Sequence, residues 1–413
     1  MRPHSETLWK HRDFLKLWSA QATSNFGAQL ASLAYPLAAI LTLQATPFQM
    51  GMLRATGSAA AVLFGLFAGV VVDRVRRRPL LIITDLGRCI LGFSITLAFI
   101  FGALRIELLY VIYFLSGALT ILSEVAGMAF LPSLVEKEQL VEGNSKLAAM
   151  DSAAGIAGPS LSGILVQILT APVAILVDSV SFVFSAAFIW LIRTPEVEPP
   201  PKDEKQSVRT EISEGLRFVY SNPILRPLSE AIALHFLFLL MISTIFTLYA
   251  IRELQLEPLL LGIIFSALGV GFLLGALMVK RITERFGIGR TMIGGTLLTA
   301  FACVLIPLAG GSLPLMVSIL IAAHIFLAFG IQINSVNLMS LRQSITPHQM
   351  QGRMNASFRF INVFMMMIGA VVAGALGEWI GLRATIAVGA IGMFLPWLRL
   401  LFSPMRSLTK TIE

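Results

Sequence analysis

The stretch GVVVDRVRRR, Gly69–Arg78, holds five charges in ten positions: Asp73, Arg74, Arg76, Arg77 and Arg78. MGMLRATGSAAAVLFGLFAGVVV runs up to and into it, and PLLIITDLGRCILGFSITLAFIFGAL follows it. Crossing about 30 Å of hydrocarbon takes roughly 20 apolar residues of helix, and each flank supplies them. The stretch therefore reads as a short basic turn between two membrane spans.

Composition extends that reading to the whole chain. Of 413 residues 56% are hydrophobic and 13% charged, with a mean hydropathy of +0.82. A soluble domain carries about 25% charged residues, so lipid is the expected solvent for most of this chain. Counting apolar runs gives twelve spans: 16–43, 47–72, 80–104, 108–131, 145–169, 171–192, 228–251, 259–279, 291–309, 313–338, 356–380 and 384–403. LWKHRDFLKLW before the first has no small-residue cleavage site, so no signal peptide is expected. Only Arg105, Arg252 and Arg383 fall in outer loops, and Arg54, Arg88, Arg359 and Arg399 inside spans. The other 24 of the 31 Lys and Arg, every lysine among them, lie on one side. Positive charge gathers in cytoplasmic loops, so both termini are expected in the cytoplasm of a multi-pass protein. The +8 net charge is thereby a topology signal, and no nucleic-acid partner is expected.

Residues 193–227 interrupt the pattern. Their Pro-rich, charged first half reads as an extended spacer. TEISEGLRFVY then places Ile212, Leu216 and Val219 on one face of a short amphipathic helix, expected to lie on the inner membrane surface. The expected domains are 1–192 and 228–413, six spans each, joined by the 193–227 linker. The halves repeat one another. TPFQMG (Thr46–Gly51) matches EPLLLG (Glu257–Gly262), Asp73-Arg74 falls on Glu284-Arg285, and KEQLVEGN resembles PHQMQGRMN, all at a spacing near 210. Parallel six-span repeats are a transporter architecture with the substrate site near the midplane.

These residues carry a family resemblance. Gly69, Asp73, Arg74, Arg77 and Arg78, in the Gly-x-x-x-Asp-Arg-x-x-Arg-Arg spacing, resemble the loop motif of the major facilitator superfamily. GIAGPSLSG in span five, with Gly155, Gly158, Pro159 and Gly163, is similar to that family's antiporter motif, with Ser162 where a glycine is usual. FLKLWSAQATSNFG, LPSLVEKEQLVEGNSKL, VDSVSFVFSA and EGLRFVYSNPILRPL resemble the branch of enterobactin-exporter and macrolide-efflux type carriers. The resemblance implies an all-α membrane protein of two pseudo-symmetric six-helix bundles. It also implies that the basic loop gates alternating access, holding the opposite half or a helix C-terminus in one state. Gly158-Pro159 is expected to loosen span five and to pack closely, against a span of the other half.

Polar residues inside the spans mark a path. Gln21, Asn25 and Gln29 recur every four residues in span one, Ser116, Thr120 and Glu124 in span four, and His324, Gln332 and Asn334 stand in span ten. Such stripes are expected to face a substrate cavity. Glu124, about 10 Å inside its span, is the first choice for a proton-coupling carboxylate and Asp151 the second. Either could instead form a static pair with Arg88. Asp178 belongs to VDSVSF and reads as structural. GVGFLLG (Gly269–Gly275) superficially resembles a dinucleotide loop, but no strand precedes it, so close helix packing is expected. Cys89 and Cys303 are too isolated for a metal site, and no catalytic grouping or cofactor is expected. The expectation is a non-enzymatic, monomeric secondary exporter of amphiphilic small molecules, coupled to protons, with siderophore export next and a scaffold or sensor last.

Overall fold

Apolar runs of 20 or more residues, with lipid unable to satisfy backbone polar groups, leave helix as the only economical conformation. The computed structural model describes residues 7–65, 68–194, 196 and 208–407, and among these there is helix and no strand. The first half holds α1 (Arg12–Leu37), α2 (Pro47–Gly65), α3 (Ala68–Arg74), α4 (Arg77–Ile100), α5 (Ile106–Leu134), α6 (Leu140–Ile168) and α7 (Ala171–Trp190). The linker contributes α8 (Val208–Ser221). The second half holds α9 (Leu225–Arg252), α10 (Pro258–Phe286), α11 (Ile288–Leu308), α12 (Leu313–Ile345), α13 (Gln351–Ile380), α14 (Leu382–Gly392) and α15 (Phe394–Leu401). Among the described residues nine segments are long and apolar enough to cross a membrane: α4, α5, α7, α9 to α13, and Leu382–Leu401. The other three expected spans also fall on helix. Of these α1 and α6 carry the interior polar residues, and α2 is described only as far as Gly65.

The internal repeat is written into the backbone at a spacing of 211. Pro47 and Pro258 open α2 and α10, Arg77 and Ile288 open α4 and α11, Leu140 and Gln351 open α6 and α13, and Ala171 and Leu382 open α7 and α14. Gln44 (φ 54°) and Gln255 (φ 51°), the same distance apart, share a left-handed turn. That spacing pairs Asn334 with Ser123, the residue before Glu124.

Packing divides the chain into two units, Met1–Gln44 with Ala59–Asp203 and Ala45–Ser58 with Glu204–Glu413, so α2 contributes to both. In the first, α7 packs against α1 and α4. In the second, α12 packs against α10 and α11, and α9 against α13. Gly271 lies against the Ile325 carbonyl and Gly275 against Gln332, so GVGFLLG does serve close approach of α10 to α12.

The linker helix has a protein neighbour. The apolar side of α8 is taken up by protein: Val219 is buried with Leu225, Met354 and Phe358. A Cβ on Gly215 would come within 2.4 Å of the Arg353 carbonyl, and Glu214 pairs with Arg353. α8 thus docks on α13. The Ile212 side chain lies outside the described residues.

Candidate functional site

The basic loop ends at the start of α4, and its last two arginines are held from two directions. Arg78 donates through Nε to the Ile189 carbonyl (3.2 Å) and through its terminal nitrogen to that of Trp190, covering the C-terminal carbonyls of α7. The amides of Arg77 and Arg78 donate to the two carboxylate oxygens of Glu196, in the linker segment. Arg77 adds an ion pair to Glu196 at 3.8 Å. Cations at a helix C-terminus and a carboxylate at an N-terminus each meet the favourable end of a helix dipole. Gly69 and Arg74 are exposed, and the Asp73 side chain lies outside the described residues. Beside this, Asp13 accepts from the Arg193 amide (3.1 Å) and from the Thr194 amide and hydroxyl (2.9 and 2.6 Å), and pairs with Lys16 at 2.6 Å. Partial burial alone would raise the Asp13 carboxyl, but these bonds outweigh it and hold the group well below the usual carboxylate range.

The Gly-Pro segment of α6 packs within its own unit. Gly158 and Pro159 are buried, and a Cβ on Gly158 would meet Gln29 Cβ at 2.4 Å. The Ser162 hydroxyl donates to the Leu30 carbonyl at 2.7 Å. The neighbour of this face is α1, where a span of the other half had been expected, and α6 continues through Pro159 as one helix. Gly163 is buried on the same helix, while a Cβ on Gly155 would meet nothing within 4 Å.

The stripe on α1 is half-buried and borders α5 and α6. Gln21 borders Gly127 of α5, the Asn25 amide donates to Asp151 of α6, and Gln29 covers Gly158. On α5, Thr120 donates back to the Ser116 carbonyl at 2.8 Å, and Glu124 is exposed. On α12 the three residues part company. His324 is buried (4% exposed), its Nδ1 2.8 Å from the Leu320 carbonyl and its ring against Phe246 and Phe265. Packing, not a path, occupies it. Gln332 packs on Gly275, and Asn334 is hydrogen-bonded to Thr296 of α11 at 3.1 Å.

Arg88 meets neither expected partner. It pairs with Asp85, one helical turn away on α4, and donates to the Ser123 hydroxyl at 3.1 Å. Its guanidinium stands 4.2 Å over the Phe182 ring. Asp85 in turn accepts from Ser185 at 2.6 Å. Exposed Asp151 accepts from Asn25 instead, and on α5 one residue turns the side chain by about 100°, so that Ser123 takes the contact and Glu124 is exposed. Asp85 had gone unnoticed in the sequence, although an acid three residues before an arginine within an apolar run is itself a signal. Asp178, on the same face of α7 as Phe182 and Ser185, is 3% exposed, and its Oδ1 has no hydrogen-bond partner among the described residues. No group of three or more His, Cys, Asp or Glu that could hold a metal occurs among the described residues.

Known proteins are similar to this chain over nearly all of its length. The chain is 25% identical over 406 residues to the Multidrug efflux pump Tap of Mycolicibacterium fortuitum, covering 94% of this chain and 97% of that one. It is 24% identical over 389 residues to the Enterobactin exporter EntS of Escherichia coli O1:K1 / APEC, covering 93% and 90%. The crystal structure of a bacterial homologue of iron transporter ferroportin in inward-facing state superposes with a TM-score of 0.76 at 17% identity, covering 96% of this chain and 99% of that one. The sequence model of the Major Facilitator Superfamily matches residues 17–362 and 228–411. With its repeat of helices at a spacing of 211, its basic loop and that match, the chain is a multi-pass membrane protein and belongs to the Major Facilitator Superfamily.

Proposed function

We propose that this protein is a secondary active exporter of amphiphilic small molecules, working as a monomer in the cell's inner membrane with both termini cytoplasmic. Proton entry drives it. The observation that carries the reading is full-length similarity to efflux carriers of two different cargoes, together with an intact Gly69–Arg78 loop. In this reading the loop is the gate. Arg77 and Arg78 grip the end of α7 and Glu196, and Asp73 with Arg74 makes and breaks the bonds that change between states. Gln21, Asn25, Gln29, Ser116, Thr120, Gln332 and Asn334 furnish the polar contacts of the path, and exposed Glu124 and Asp151 give it negative charge suited to cationic amphiphiles. A siderophore cargo is the second reading, favoured by the EntS likeness alone.

Ethidium accumulation in cells with and without the protein tests this. Expression should lower steady-state dye several-fold, and Asp73→Asn should be expressed normally yet leave dye as high as in cells without the protein. Equal accumulation with and without the wild-type protein would remove amphiphile export.

A further inference from the structure

We propose that the Asp85–Arg88–Asp178 cluster, sealed between α4 and α7 inside the N-terminal unit, is the proton-binding site of the carrier, with Asp178 the group that takes the proton. The assignment rests on the reading of the protein as a proton-driven exporter, and it moves the titrating group away from the exposed carboxylates to a buried one.

Charge counting supports it. Asp85, Arg88 and Asp178 are 1%, 6% and 3% exposed. Arg88 and Asp85 neutralise each other, so an ionised Asp178 adds one uncompensated negative charge to a bundle immersed in lipid. Such a charge is removed either by a partner or by a proton. Asp178 Oδ1 has no hydrogen-bond partner among the described residues, and Arg88 Nε has none either. The step is simple: a proton from water converts the Asp178 carboxylate to the neutral acid, and its release restores the carboxylate, with no other bond formed or broken. In the deprotonated form the vacant Nε of Arg88 offers Asp178 a charge-assisted bond, and taking it draws α4 and α7 together.

The groups around Asp178 are few. From α4 come Asp85, Arg88 and Cys89, and from α1 comes Tyr35, the last three within electrostatic reach of Asp178. The titratable groups of α6 have other partners: Glu142 pairs with Lys146, and exposed Asp151 accepts from Asn25. Approach is tight on two sides. A Cβ on Gly27 of α1 would lie 2.5 Å from Asp178 Oδ1, and one on Gly92 of α4 would lie 2.2 Å from Ser179 Oγ.

The second half supplies an internal control. At a spacing of 211, Asp85, Arg88 and Asp178 correspond to Thr296, Thr299 and Gly389. Thr299 is spent on its own helix, donating to the Gly295 carbonyl at 2.8 Å, and Gly389 lies against Ile242. The same helix contacts are therefore built without any charge. Packing does not explain the charges in the first half, whereas proton binding does.

The test is infrared difference spectroscopy of the purified, lipid-reconstituted full chain across pH, following the carbonyl stretch of a protonated carboxyl group. Wild type should show a buried carboxyl band that titrates. Asp178→Asn should lose it, while Glu124→Gln and Asp151→Asn should keep it. Persistence of the band in Asp178→Asn, or its absence in wild type, would overturn the assignment. Asp178→Glu guards against a misfolded Asn variant: it keeps an acid, so its band must persist with a displaced midpoint, and an unmoved midpoint would also overturn the assignment. Ethidium transport in the same vesicles separates the two readings. A titrating Asp178 band in a wild type that moves no dye would end the exporter reading and uphold the proton site.

Discussion

Around Arg88 the first half packs Asp85, Ser123, Phe182 and Ser185. At the matching positions, 211 residues on, the second half carries Thr299 in place of Arg88, and Thr296, Asn334, Met393 and Pro396 in place of its four neighbours. Thr296, Asn334 and Pro396 line a cavity of about 140 Å³, closed otherwise mostly by apolar side chains such as Leu228, Ala231, Met292 and Leu400. One backbone plan thus carries a filled ionic core in one copy and a neutral, partly empty one in the other. The difference teaches that the fold asks only for close helix contact at this point. Charge there is an addition, and it makes the two halves fail in different ways.

The largest expected effect follows from leaving the two acids without their cation. Arg88→Met should lower unfolding stability by about 3–5 kcal/mol, the cost of breaking one side of a buried pair. Thr299→Val, at the matching position, removes a hydroxyl bonded only to its own helix and should cost about 1 kcal/mol or less. Thermal unfolding of the purified variants in detergent measures both. Equal losses would mean that the two cores are energetically alike and that the comparison has no content.

Next in size is the conversion of one core into the other. Asp85→Thr, Arg88→Thr and Asp178→Asn together remove all three charges, and neutral replacement of a complete buried ionic group is often close to neutral. The triple variant should unfold within about 2 kcal/mol of wild type, well above Arg88→Met alone. A triple variant as unstable as the single one would show that the first half does depend on its ionic core.

How this core escaped a reading of the sequence is itself physical. Hydropathy places spans because lipid acts on every residue of a run, and the 211 spacing is visible because both copies keep their punctuation: Pro47 with Pro258, and the turns at Gln44 and Gln255. Side-chain partners depend instead on which face of a helix turns inward. Glu124, Asp151 and Arg88 stand at similar depth along their helices, and depth alone made them candidate partners of one another. The deciding coordinate is rotation, and it gives Ser123 to Arg88 and leaves Glu124 exposed. In the same way His324 lies on the polar stripe by spacing but between two phenylalanine rings in space. The loop arginines were legible as a motif, whereas the grip of Arg78 on α7 needed the fold.

A smaller effect separates the halves at the ends of their bundles. Asp13 ties the start of α1 to Thr194, whereas the matching residues, Ile224 and Met405, join an apolar cluster with Leu228 and Met292. A carboxyl held below its ordinary range contributes stability that is present above that range and lost as pH falls through it, below about pH 4. Amide exchange at Arg193 and Thr194, corrected for the intrinsic pH dependence, should therefore quicken several-fold as pH drops through that window. Exchange near Met405 should not. Identical pH responses at the two places would remove the distinction.

The smallest effect concerns how the two matched helices begin. α4 starts at Arg77 with no cap from its own Arg76, and borrows one: Glu196 accepts from both the Arg77 and Arg78 amides, and its side chain is 6% exposed. α11 starts at Ile288 after Gly287, at φ 80°, with no side-chain cap. A capping carboxylate is worth about 0.5–2 kcal/mol, part of it from the helix dipole. Glu196→Gln keeps an acceptor oxygen and loses the charge, so the expected loss is near the low end, about 0.5–1 kcal/mol. The linker can then be divided by experiment. A flexible replacement of residues 197–206 should leave stability and dye efflux unchanged, as suits a spacer. Extending the replacement to 195–206 removes Glu196 and should reproduce the Glu196→Gln loss, with a correspondingly small fall in efflux, because the capped turn also anchors Arg77 and Arg78 of the proposed gate. If Glu196→Gln and both replacements unfold at the wild-type temperature, the borrowed cap is idle, α4 and α11 begin alike, and the whole of 195–206 is spacer.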